Sequence, residues 1–502
     1  MNSSKSIAKG VFWTTLLNVT NGVYGFISVP ILIAYFGKSD YGLIGLAISI
    51  NVYLRLMDLG FNSTNIRFFS NWLAKKEYGQ VGKLFQTSLA FYGGIGLLNA
   101  LILLVVSFFS DQLFNLAEGQ DIILKHLLYI LAISAFVSWF TSCFDQLIRA
   151  HEYVGWTQKI TLIPKLCQIL ILGITVWCHL TIEWYYALTA FSMFVILPFS
   201  VHKIRAIAPY VSFVPRLNKP IFKEILPYCL NIFSFGLFQF SMNNLRPVFL
   251  GMEGSMESVA DYRILNGVIS IVLMLGGAFM GVILPSASKV VALGNKEAQD
   301  RIAYDGTKYI TVTLSFCCFG MMSVSTDMLQ VYVGSDYLYL DIWLVIWLLL
   351  TLCSHNQALS SLILSGSDIR AITWSTATAS VIGLLLCWVT IPRFEVGGTV
   401  IGYGVYNLIQ ISFYYLYYWP KKMGIDSWRI FRSSFLPVAC VGGFAMLLVR
   451  YGMPFICTLE NHWAGLFLKG TAFTLFYVVL VYGVVLNKRD KDFFFKLIKR
   501  HA

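Results

Sequence analysis

The sequence predicts an all-α integral membrane protein with about fourteen transmembrane helices. Three observations support this: 57% of the 502 residues are hydrophobic, only 12% are charged, and the basic residues alternate between successive loops. A soluble globular domain contains about 25% charged residues. Apolar runs of about 20 residues are long enough to cross the hydrocarbon core of a bilayer as helices.

Fourteen apolar segments have the length of a spanning helix. They leave too little of the chain for a soluble domain, and no GxxxxGK[ST] phosphate-binding sequence is present. The first segment lacks the small-residue cleavage site of a secretory signal, so we expect it to remain as a helix. The segments are 10–36, 41–66, 84–109, 122–145, 156–178, 183–203, 224–250, 260–285, 307–327, 337–364, 369–391, 396–418, 433–453 and 463–486.

Loop charge predicts which side of the membrane each connection faces. Loops rich in Lys and Arg alternate with loops that contain acids and no base. The basic loops include 67–83, 204–223, 286–306 and 419–432, and the acidic ones are 110–121, 251–259 and 328–336. Because positive charge accumulates in cytoplasmic loops, both termini are predicted to be cytoplasmic.

The chain is predicted to form two six-helix lobes followed by two extra helices. The proline-containing connection 204–223 divides it after the sixth helix, and a short repeat supports the division. Tyr35-Phe36-Gly37 with Asp40-Tyr41 is similar to Phe249-Leu250-Gly251 with Asp261-Tyr262. Such halves would be related by an axis along the membrane normal. We expect an N-lobe at 1–208, a C-lobe at 209–425, and helices 13 and 14 with a basic tail at 426–502.

Several classes of function are disfavoured. The net charge of +12 is largely explained by the cytoplasmic loops, so no nucleic-acid partner is expected. The ten cysteines are scattered without metal-ligand spacing, and no catalytic motif stands out. We therefore predict that the protein is not an enzyme and that it uses no metal and no cofactor.

Basic residues inside the predicted helices are the most informative feature. A charged side chain at the bilayer centre costs about 2.5–3.5 kcal/mol even on the lenient insertion scale, so each must face protein, water or ligand. Because bases outnumber acids in the helices, they point to an anionic cargo. The candidates are Arg55, Lys165, Arg246 and Arg263, with Lys469 expected to extend toward the headgroups.

Each candidate has a structural alternative. Arg55 and Asp58 share a helix face, so they form either a self-compensating pair or a cavity arginine that Asp58 orients. Lys165 follows a proline and has no acid at helical spacing, which favours a ligand role over extension to the interface. Arg246 lies beside Asn243 and Asn244, either in a cavity lining or at the outer headgroups. Arg263 lies close to the outer interface, which weakens its case.

The polar group Ser354-His355-Asn356-Gln357 lies within helix 10. His355 titrates near neutrality, so this group could move a proton or bind a hydroxylated ligand with Asn356 and Gln357. The alternative is interhelical hydrogen bonding, which contributes about 0.6 kcal/mol per bond.

Three motifs near the N-terminus resemble a known family: KGVFWTTL at 9–16, YFGKSDYGLIGL at 35–46 and LRLMDLGFNSTNIRFFS at 54–70. They are similar to the polysaccharide-transport branch of the multidrug/oligosaccharidyl-lipid/polysaccharide exporters, the Wzx-type flippases of bacterial O-antigen and capsule synthesis. The fourteen-helix count and the break after helix 6 agree with that branch.

The resemblance implies a flippase of the bacterial inner membrane that moves an undecaprenyl-diphosphate-linked oligosaccharide by alternating access. It implies a cavity lined by Arg55, Lys165, Arg246 and Arg263, which would bind the diphosphate, while Asn, Gln and aromatic side chains meet the sugars. Asp58 and His355 are candidates for coupling to H⁺ or Na⁺, and a polymerase or other envelope-assembly protein is a candidate partner. The alternatives are a MATE-like extruder of small cations and a membrane scaffold.

Overall fold

The computed structural model describes residues 3–273, 296–356, 359, 362, 370–453, 461–487, 490 and 491. Every regular element within these residues is an α-, 3-10 or π-helix, which confirms the predicted all-α class. The protein is a multi-pass membrane protein.

The first part of the chain contains twelve α-helices. A 3-10 turn, Arg55–Asp58, follows α2, and another, Met193–Val195, joins α8 to α9. The helices are α1 Ser3–Phe36, α2 Lys38–Leu54, α3 Phe61–Ala74, α4 Tyr78–Phe108, α5 Ser110–Leu113, α6 Gln120–Ala150, α7 Val154–Trp177, α8 Ile182–Ser192, α9 Ile196–Ile207, α10 Lys219–Asn244, α11 Arg246–Glu253 and α12 256–273.

The described residues from 296 onward include eight further α-helices, several of which continue as π-helical turns. The helices are α13 Lys296–Arg301, α14 Thr307–Tyr332, α15 Asp341–Thr351, α16 Arg370–Phe394, α17 Val396–Phe413, α18 Ser427–Ile430, α19 Leu436–Leu447 and α20 His462–Leu480. The π turns are Ile302–Gly306, Tyr414–Met423, Phe431–Phe435, Leu448–Gly452 and Val481–Val485, and the 3-10 turns are Ser335–Leu340 and Leu352–Asn356.

Within the described residues, ten helices are long and apolar enough to cross a membrane, and α2 with α3 forms an eleventh candidate. These eleven correspond to eleven of the fourteen predicted segments. The other three segments are also helical where they are described, in α10 with α11, in α12 and in α17. The exact count of fourteen and the cytoplasmic location of both termini stay predictions.

The second predicted segment is not one continuous helix. The chain bends by 42° between the Arg55–Asp58 turn and α3. Leu59 and Gly60 both adopt left-handed backbone conformations, with φ of 49° and 76°. Gly60 adopts this conformation without steric conflict, whereas Leu59 does so against its intrinsic preference. The break places the polar turn at a helix junction rather than in the middle of a regular helix.

The chain forms two compact units. Unit 1 contains Met1–Arg263 and Trp388–Thr399, and unit 2 contains Ile264–Cys387 and Val400–Ala502. The lobe boundaries expected from the sequence, at 208/209 and 425/426, stay predictions.

In unit 1, α4 and α6 pack antiparallel, and a buried aromatic and aliphatic core connects them with α3, α9 and α10. Helix α12 approaches α2 closely because Gly42 has no side chain. A Cβ there would lie 1.9 Å from the Met256 carbonyl oxygen. The contact also joins the two copies of the short repeat, since Lys38 Nζ lies 2.8 Å from Asp261 Oδ1.

In unit 2, ion pairs connect the last two spanning helices to their neighbours. Arg450 pairs with Asp341, and Lys469 pairs with Asp327 of α14. The expectation that Lys469 extends to the headgroups was therefore wrong. The expectation rested on how far Lys469 lies from the helix end in the sequence. That distance does not reveal that Asp327 of α14 lies beside Lys469.

Candidate functional site

Arg55 begins the 3-10 turn that interrupts the second spanning segment, and its side chain is exposed. Among the described residues, no carboxylate oxygen lies within 4.0 Å of its guanidinium group, and no residue hydrogen-bonds to it. A guanidinium group presents five donors in a planar fork that matches carboxylate and phosphate oxygens. The guanidinium group of Arg55 is therefore not neutralised by any described residue.

Asp58, three residues further on, is oriented by other groups. Its Oδ1 accepts a hydrogen bond of 2.7 Å from the Tyr92 hydroxyl. Its Oδ2 accepts one of 3.1 Å from the backbone N–H of Asn62, in the first turn of α3. An ion pair between Arg55 and Asp58, one of the two alternatives considered from the sequence, is not formed, although both side chains border one cavity. Arg55 and Asp58 could have paired if the helix had continued, because residues three apart share a helix face. The helix instead breaks, and Asp58 accepts a hydrogen bond from the backbone N–H of Asn62 at the start of α3.

A buried network holds this carboxylate in place. The Gln146 amide donates to the Tyr92 hydroxyl at 2.6 Å, and Asn65 donates to Gln146 at 2.8 Å and to Ser88 at 2.9 Å. Four helical elements are joined in this way: the Arg55–Asp58 turn, α3, α4 and α6. Buried polar groups that are paired in such a network are geometrically restrained.

Arg55 and Asp58 border a cavity of about 480 Å³ in unit 1. This lies within the usual range of about 300–1,000 Å³ for ligand pockets. Asp145 and Arg149 also line it and pair with each other at 2.7 Å, so they compensate one another. The lining residues are Asn51, Arg55, Asp58, Asn62, Asn99, Ser138, Trp139, Thr141, Ser142, Asp145, Arg149, Trp156, Thr157, Ile160, Thr161, Met193, Ile196 and Ser200.

Lys165 lies in α7, one helical turn beyond the cavity residue Thr161. Its Nζ donates to Gln168 Oε1 at 2.7 Å and lies 4.7 Å from the centre of the Tyr24 ring. Residues four apart share a helix face, so Lys165 continues the cavity side of α7 by about 6 Å along the helix axis. None of the described carboxylates pairs with it.

Arg263 also lies against a tyrosine. Its Nε donates to the Tyr41 hydroxyl at 3.2 Å, and its guanidinium carbon is 5.3 Å from the Tyr41 ring centre. The Tyr24 and Tyr185 hydroxyls are 3.2 Å apart. Lys165 and Arg263, 98 residues apart in the chain, thus each lie against a tyrosine ring, Tyr24 and Tyr41 respectively.

Arg246 and its two asparagines are in different surroundings. Arg246 is buried at the start of α11, donates to the Met242 carbonyl at 3.0 Å and lies 5.3 Å from the Tyr262 ring centre. Asn243 is exposed, and Asn244 donates to the Phe240 carbonyl within α10. None of the three borders the cavity that contains Arg55.

The polar group at 354–357, which belongs to the tenth predicted segment and not to α10, lies in unit 2. His355 is 2% exposed, with Nδ1 at 2.9 Å from the Leu352 carbonyl and Nε2 at 2.8 Å from the Tyr415 hydroxyl. Both ring nitrogens thus have partners, and the contact with Tyr415 is the interhelical hydrogen bond considered above as the alternative. Asn356 is half-buried at the end of the same turn, and Gln357 lies outside the described residues.

Some cations of the spanning helices have a carboxylate partner among the described residues and others do not. In the described part of unit 2, Arg450, Lys469 and Lys308 each pair with an aspartate. In unit 1, no described carboxylate pairs with Arg55, Lys165 or Arg263.

Sequence reasoning missed several residues of this site. Asn99 interrupts the apolar run of α4, which is the signal that could have revealed it. The contributions of Trp139 and Trp156 could not be separated in sequence from ordinary interface aromatics. No cluster of three His, Cys, Asp or Glu side chains suited to a metal occurs among the described residues.

Comparison with known proteins places the chain in a family. The family described as polysaccharide biosynthesis protein matches residues 7–291, more than half of the chain. The chain belongs to this family. The comparison with curated protein sequences found no significant match.

Solved structures show what fold this family member has. The lipid II flippase MurJ, in an inward closed conformation, is similar with a TM-score of 0.74 at 12% identity, over 94% of this chain and 98% of that chain. An inward-facing multidrug resistance MATE transporter is similar with a TM-score of 0.60 at 15% identity, over 78% and 92%. The MATE transporter DinF-BH follows, with 0.57 at 13%, over 84% and 95%. At these identities the likeness shows the fold alone.

Proposed function

We propose that this protein is a flippase that moves an undecaprenyl-diphosphate-linked oligosaccharide, the repeat unit of an O-antigen, capsule or other surface polysaccharide, across the bacterial inner membrane by alternating access. Membership in the polysaccharide biosynthesis family and the fold shared with MurJ support this proposal. The geometry of unit 1 adds a physical reason.

The observation that carries the proposal is the state of Arg55. Its guanidinium group is exposed at a cavity in a spanning region, and no described carboxylate neutralises it. The nearby Asp58 is engaged with Tyr92 and with the N-terminus of α3. A diphosphate offers several oxygens with full negative charge, and arginine binds such groups with two parallel hydrogen bonds.

Further along unit 1, Lys165 and Arg263 extend the supply of positive charge. Lys165 is near the middle of α7, and Arg263 contacts Tyr41 near the start of α2. The predicted topology places Arg55 in the inner half of the membrane and Arg263 toward the outer surface. We propose that the diphosphate is transferred between these groups as the protein changes conformation, while Arg246 has a structural role beside Tyr262.

A carrier of small cations is the second candidate, because two carboxylates, Asp58 and Asp145, border the same cavity. Both carboxylates are already engaged, the first by Tyr92 and Asn62 and the second by Arg149. An available cation beside two engaged carboxylates suits an anionic cargo better. For coupling to H⁺ or Na⁺ we favour Asp58 over His355, since Asp58 borders the cavity whereas both nitrogens of His355 are bonded.

The test is genetic and chemical. In the native host, deletion of the gene should remove one surface glycan and leave its lipid-linked precursor on the cytoplasmic side. Wild-type protein should restore the glycan, Arg55→Lys should restore part of it, and Arg55→Glu should abolish export because it repels the diphosphate.

Arg301→Glu is a suitable charge-reversal control, because Arg301 is exposed outside the cavity and pairs only with Glu297 among the residues described. Membrane insertion and abundance must be equal across the variants. Full glycan export by well-inserted Arg55→Glu would overturn the proposed role of Arg55. Unchanged surface glycans after gene deletion, together with increased drug sensitivity, would favour the cation extruder.

A further inference from the structure

Asn99 is a buried amide that has no partner. It lies in α4, is 0% exposed, and neither its Oδ1 nor its Nδ2 hydrogen-bonds to any described residue. More than nine-tenths of buried polar groups in native proteins are hydrogen-bonded, so an orphaned amide requires an explanation. Its position supplies one, because Asn99 borders the cavity that contains Arg55.

Asn99 lies toward one end of this cavity. One turn before it, Gly96 packs against the backbone of Phe136, where α4 and α6 run antiparallel. Along this helix pair, Asn99 of α4 therefore lies past Ser138 of α6, on the side away from Arg149. Ser138 and Arg149 are the two ends of the part of α6 that lines the cavity. Eleven residues separate those two positions on α6, a distance of about 16 Å along the helix. The amide borders this space and is fully buried in this structure.

The cavity lining also contains neutral polar side chains, Asn51, Ser138 and Ser142, and the indole of Trp139, which stacks on Tyr92. A phosphate can only accept hydrogen bonds, so it cannot satisfy the Asn99 carbonyl. An asparagine amide both donates and accepts, and it is complementary to a group that does the same.

We infer that Asn99 is a specificity-determining residue that binds the sugar next to the diphosphate, pairing its amide with a hydroxyl or an acetamido group of that sugar. This inference rests on the proposed function, because it assumes that Arg55 holds the diphosphate. Within one cavity, the charged group and the neutral amide then recognise adjacent parts of one lipid-linked glycan.

The competing explanation is that Asn99 merely tolerates an unmet hydrogen bond or contributes to packing. The two explanations predict different responses to Asn99→Leu, which has a similar volume and no polar atoms. Replacing an unpaired buried polar group by an apolar one of the same shape is neutral or stabilising. A residue that binds the sugar should lose ligand affinity with no loss of thermal stability.

The experiment measures binding by calorimetry to the purified full-length protein in detergent. The probes are three short-chain prenyl diphosphates: one carries N-acetylglucosamine, one carries glucose and one carries no sugar. Wild type, Asn99→Leu, Asn99→Ser and Arg55→Gln are compared. Asn407→Leu is the matched control, because Asn407 in α17 undergoes the same chemical change and its amide bonds the Tyr403 carbonyl in its own helix.

We expect Asn99→Leu to bind a sugar-bearing probe about tenfold more weakly and the sugar-free probe as wild type does. Loss for N-acetylglucosamine alone identifies an acetamido partner, and loss for both sugars identifies a hydroxyl. Asn99→Ser provides a second, smaller change should Asn99→Leu fail to fold. Arg55→Gln should weaken all three probes.

Two outcomes would overturn the inference. If Asn99→Leu and Asn99→Ser bind every probe as wild type does while Arg55→Gln does not, Asn99 has no role in recognition and the proposed function stands. If Asn99→Leu lowers the unfolding temperature and weakens all probes equally, its role is structural. Failure of the wild-type protein to bind any probe would instead contradict the proposed function itself.

Discussion

The hydroxyl of Tyr92 donates a 2.7 Å hydrogen bond to the carboxylate of Asp58. This bond replaces the ion pair with Arg55 that sequence spacing allowed. It fixes the acid to α4 and to the buried network of Gln146 and Asn65, and it leaves the cation facing the cavity. The protein thus binds the carboxylate of Asp58 itself, whereas the guanidinium group of Arg55 remains at the cavity. This difference is the basis of the proposed function.

The first prediction concerns this bond. Tyr92→Phe removes the donor to Asp58 and the acceptor of Gln146, so buried polar atoms are left without partners. We expect the free energy of unfolding to fall by about 1–3 kcal/mol. Thermal unfolding of the purified protein measures the effect. Adding Asp58→Asn to Tyr92→Phe should destabilise by less than the sum of the single changes, because the two residues share one interaction.

Tyr53→Phe is the control, since the Tyr53 hydroxyl bonds to none of the described residues and the side chain is half-buried in α2. It should leave the unfolding temperature unchanged. Strict additivity of Tyr92→Phe and Asp58→Asn would show that the bond contributes nothing to stability.

The second prediction concerns Lys165. Lys165→Glu reverses the charge beside Tyr24, and we expect glycan export to fall at least tenfold because a carboxylate repels the diphosphate. Lys165→Arg keeps the charge and should retain much of the activity. Export is measured as surface glycan per inserted molecule. Lys159→Glu is the control from the same helix, since Lys159 is exposed and contacts the Trp13 ring.

Equal export by Lys165→Glu and Lys159→Glu would remove Lys165 from the proposed path and leave the cavity at Arg55 as the only charged site under test.

The third prediction concerns the last spanning helices. Arg450 pairs with Asp341, which also accepts from Ser325 of α14. The Arg450 and Asp341 side chains are half-buried. Breaking a fully buried ion pair by removing one partner costs about 3–5 kcal/mol, so Arg450→Glu should lower the yield of folded protein, and it should lower stability by less than that amount. The exchange Arg450→Asp with Asp341→Arg should recover part of that loss. Arg301→Glu, which breaks an exposed pair with Glu297, should change stability by less than about 1 kcal/mol.

If each single variant is as stable as wild type, the pair does not hold the end of α19 in place.

The fourth prediction concerns pH. Burial raises the pKa of the Asp490 carboxyl. Hydrogen bonds from Lys308, the Asn487 backbone and Tyr309 together lower that pKa by more than burial raises it, so the net pKa lies below its ordinary value. A carboxyl whose pKa is depressed by folding contributes stability above its unfolded pKa of about 3.9, and this contribution is lost as pH falls through the folded value. The unfolding temperature of the protein should therefore decrease as pH falls below about 3.9.

Asp490→Asn removes the titrating group, so its unfolding temperature should depend less on pH over the same interval. Identical pH profiles of the variant and the wild type would contradict the assignment to Asp490.

Much of the fold followed from local sequence. Runs of apolar residues predicted the helices, because a backbone in hydrocarbon must satisfy its hydrogen bonds within each segment. Arg55 and Asp58 were identified because charges in such runs are conspicuous. The bend at Leu59 and Gly60 was not predicted, since Gly60 alone does not specify a break, and Leu59 adopts its left-handed conformation only in the folded context.

The site itself was only partly accessible to sequence reasoning. Arg55 and Asp58 do border the cavity, whereas Arg246 is buried beside Tyr262 and His355 is bonded through both nitrogens. Lys469 could not be assigned, because its partner Asp327 is 142 positions away in the chain. Hydropathy gives the depth of a side chain but not the element that faces it.

The sequence by itself determined that this chain spans a membrane with many helices, that it resembles a family of polysaccharide transporters, and that cations occupy its apolar runs. Only the tertiary structure decided which cations are neutralised by the protein. Arg450 and Lys469 meet aspartates, whereas Arg55 faces a cavity and Asp58 is bound by Tyr92. The physical reason is that helix spacing fixes which residues share a face, whereas packing between distant helices fixes which charges meet.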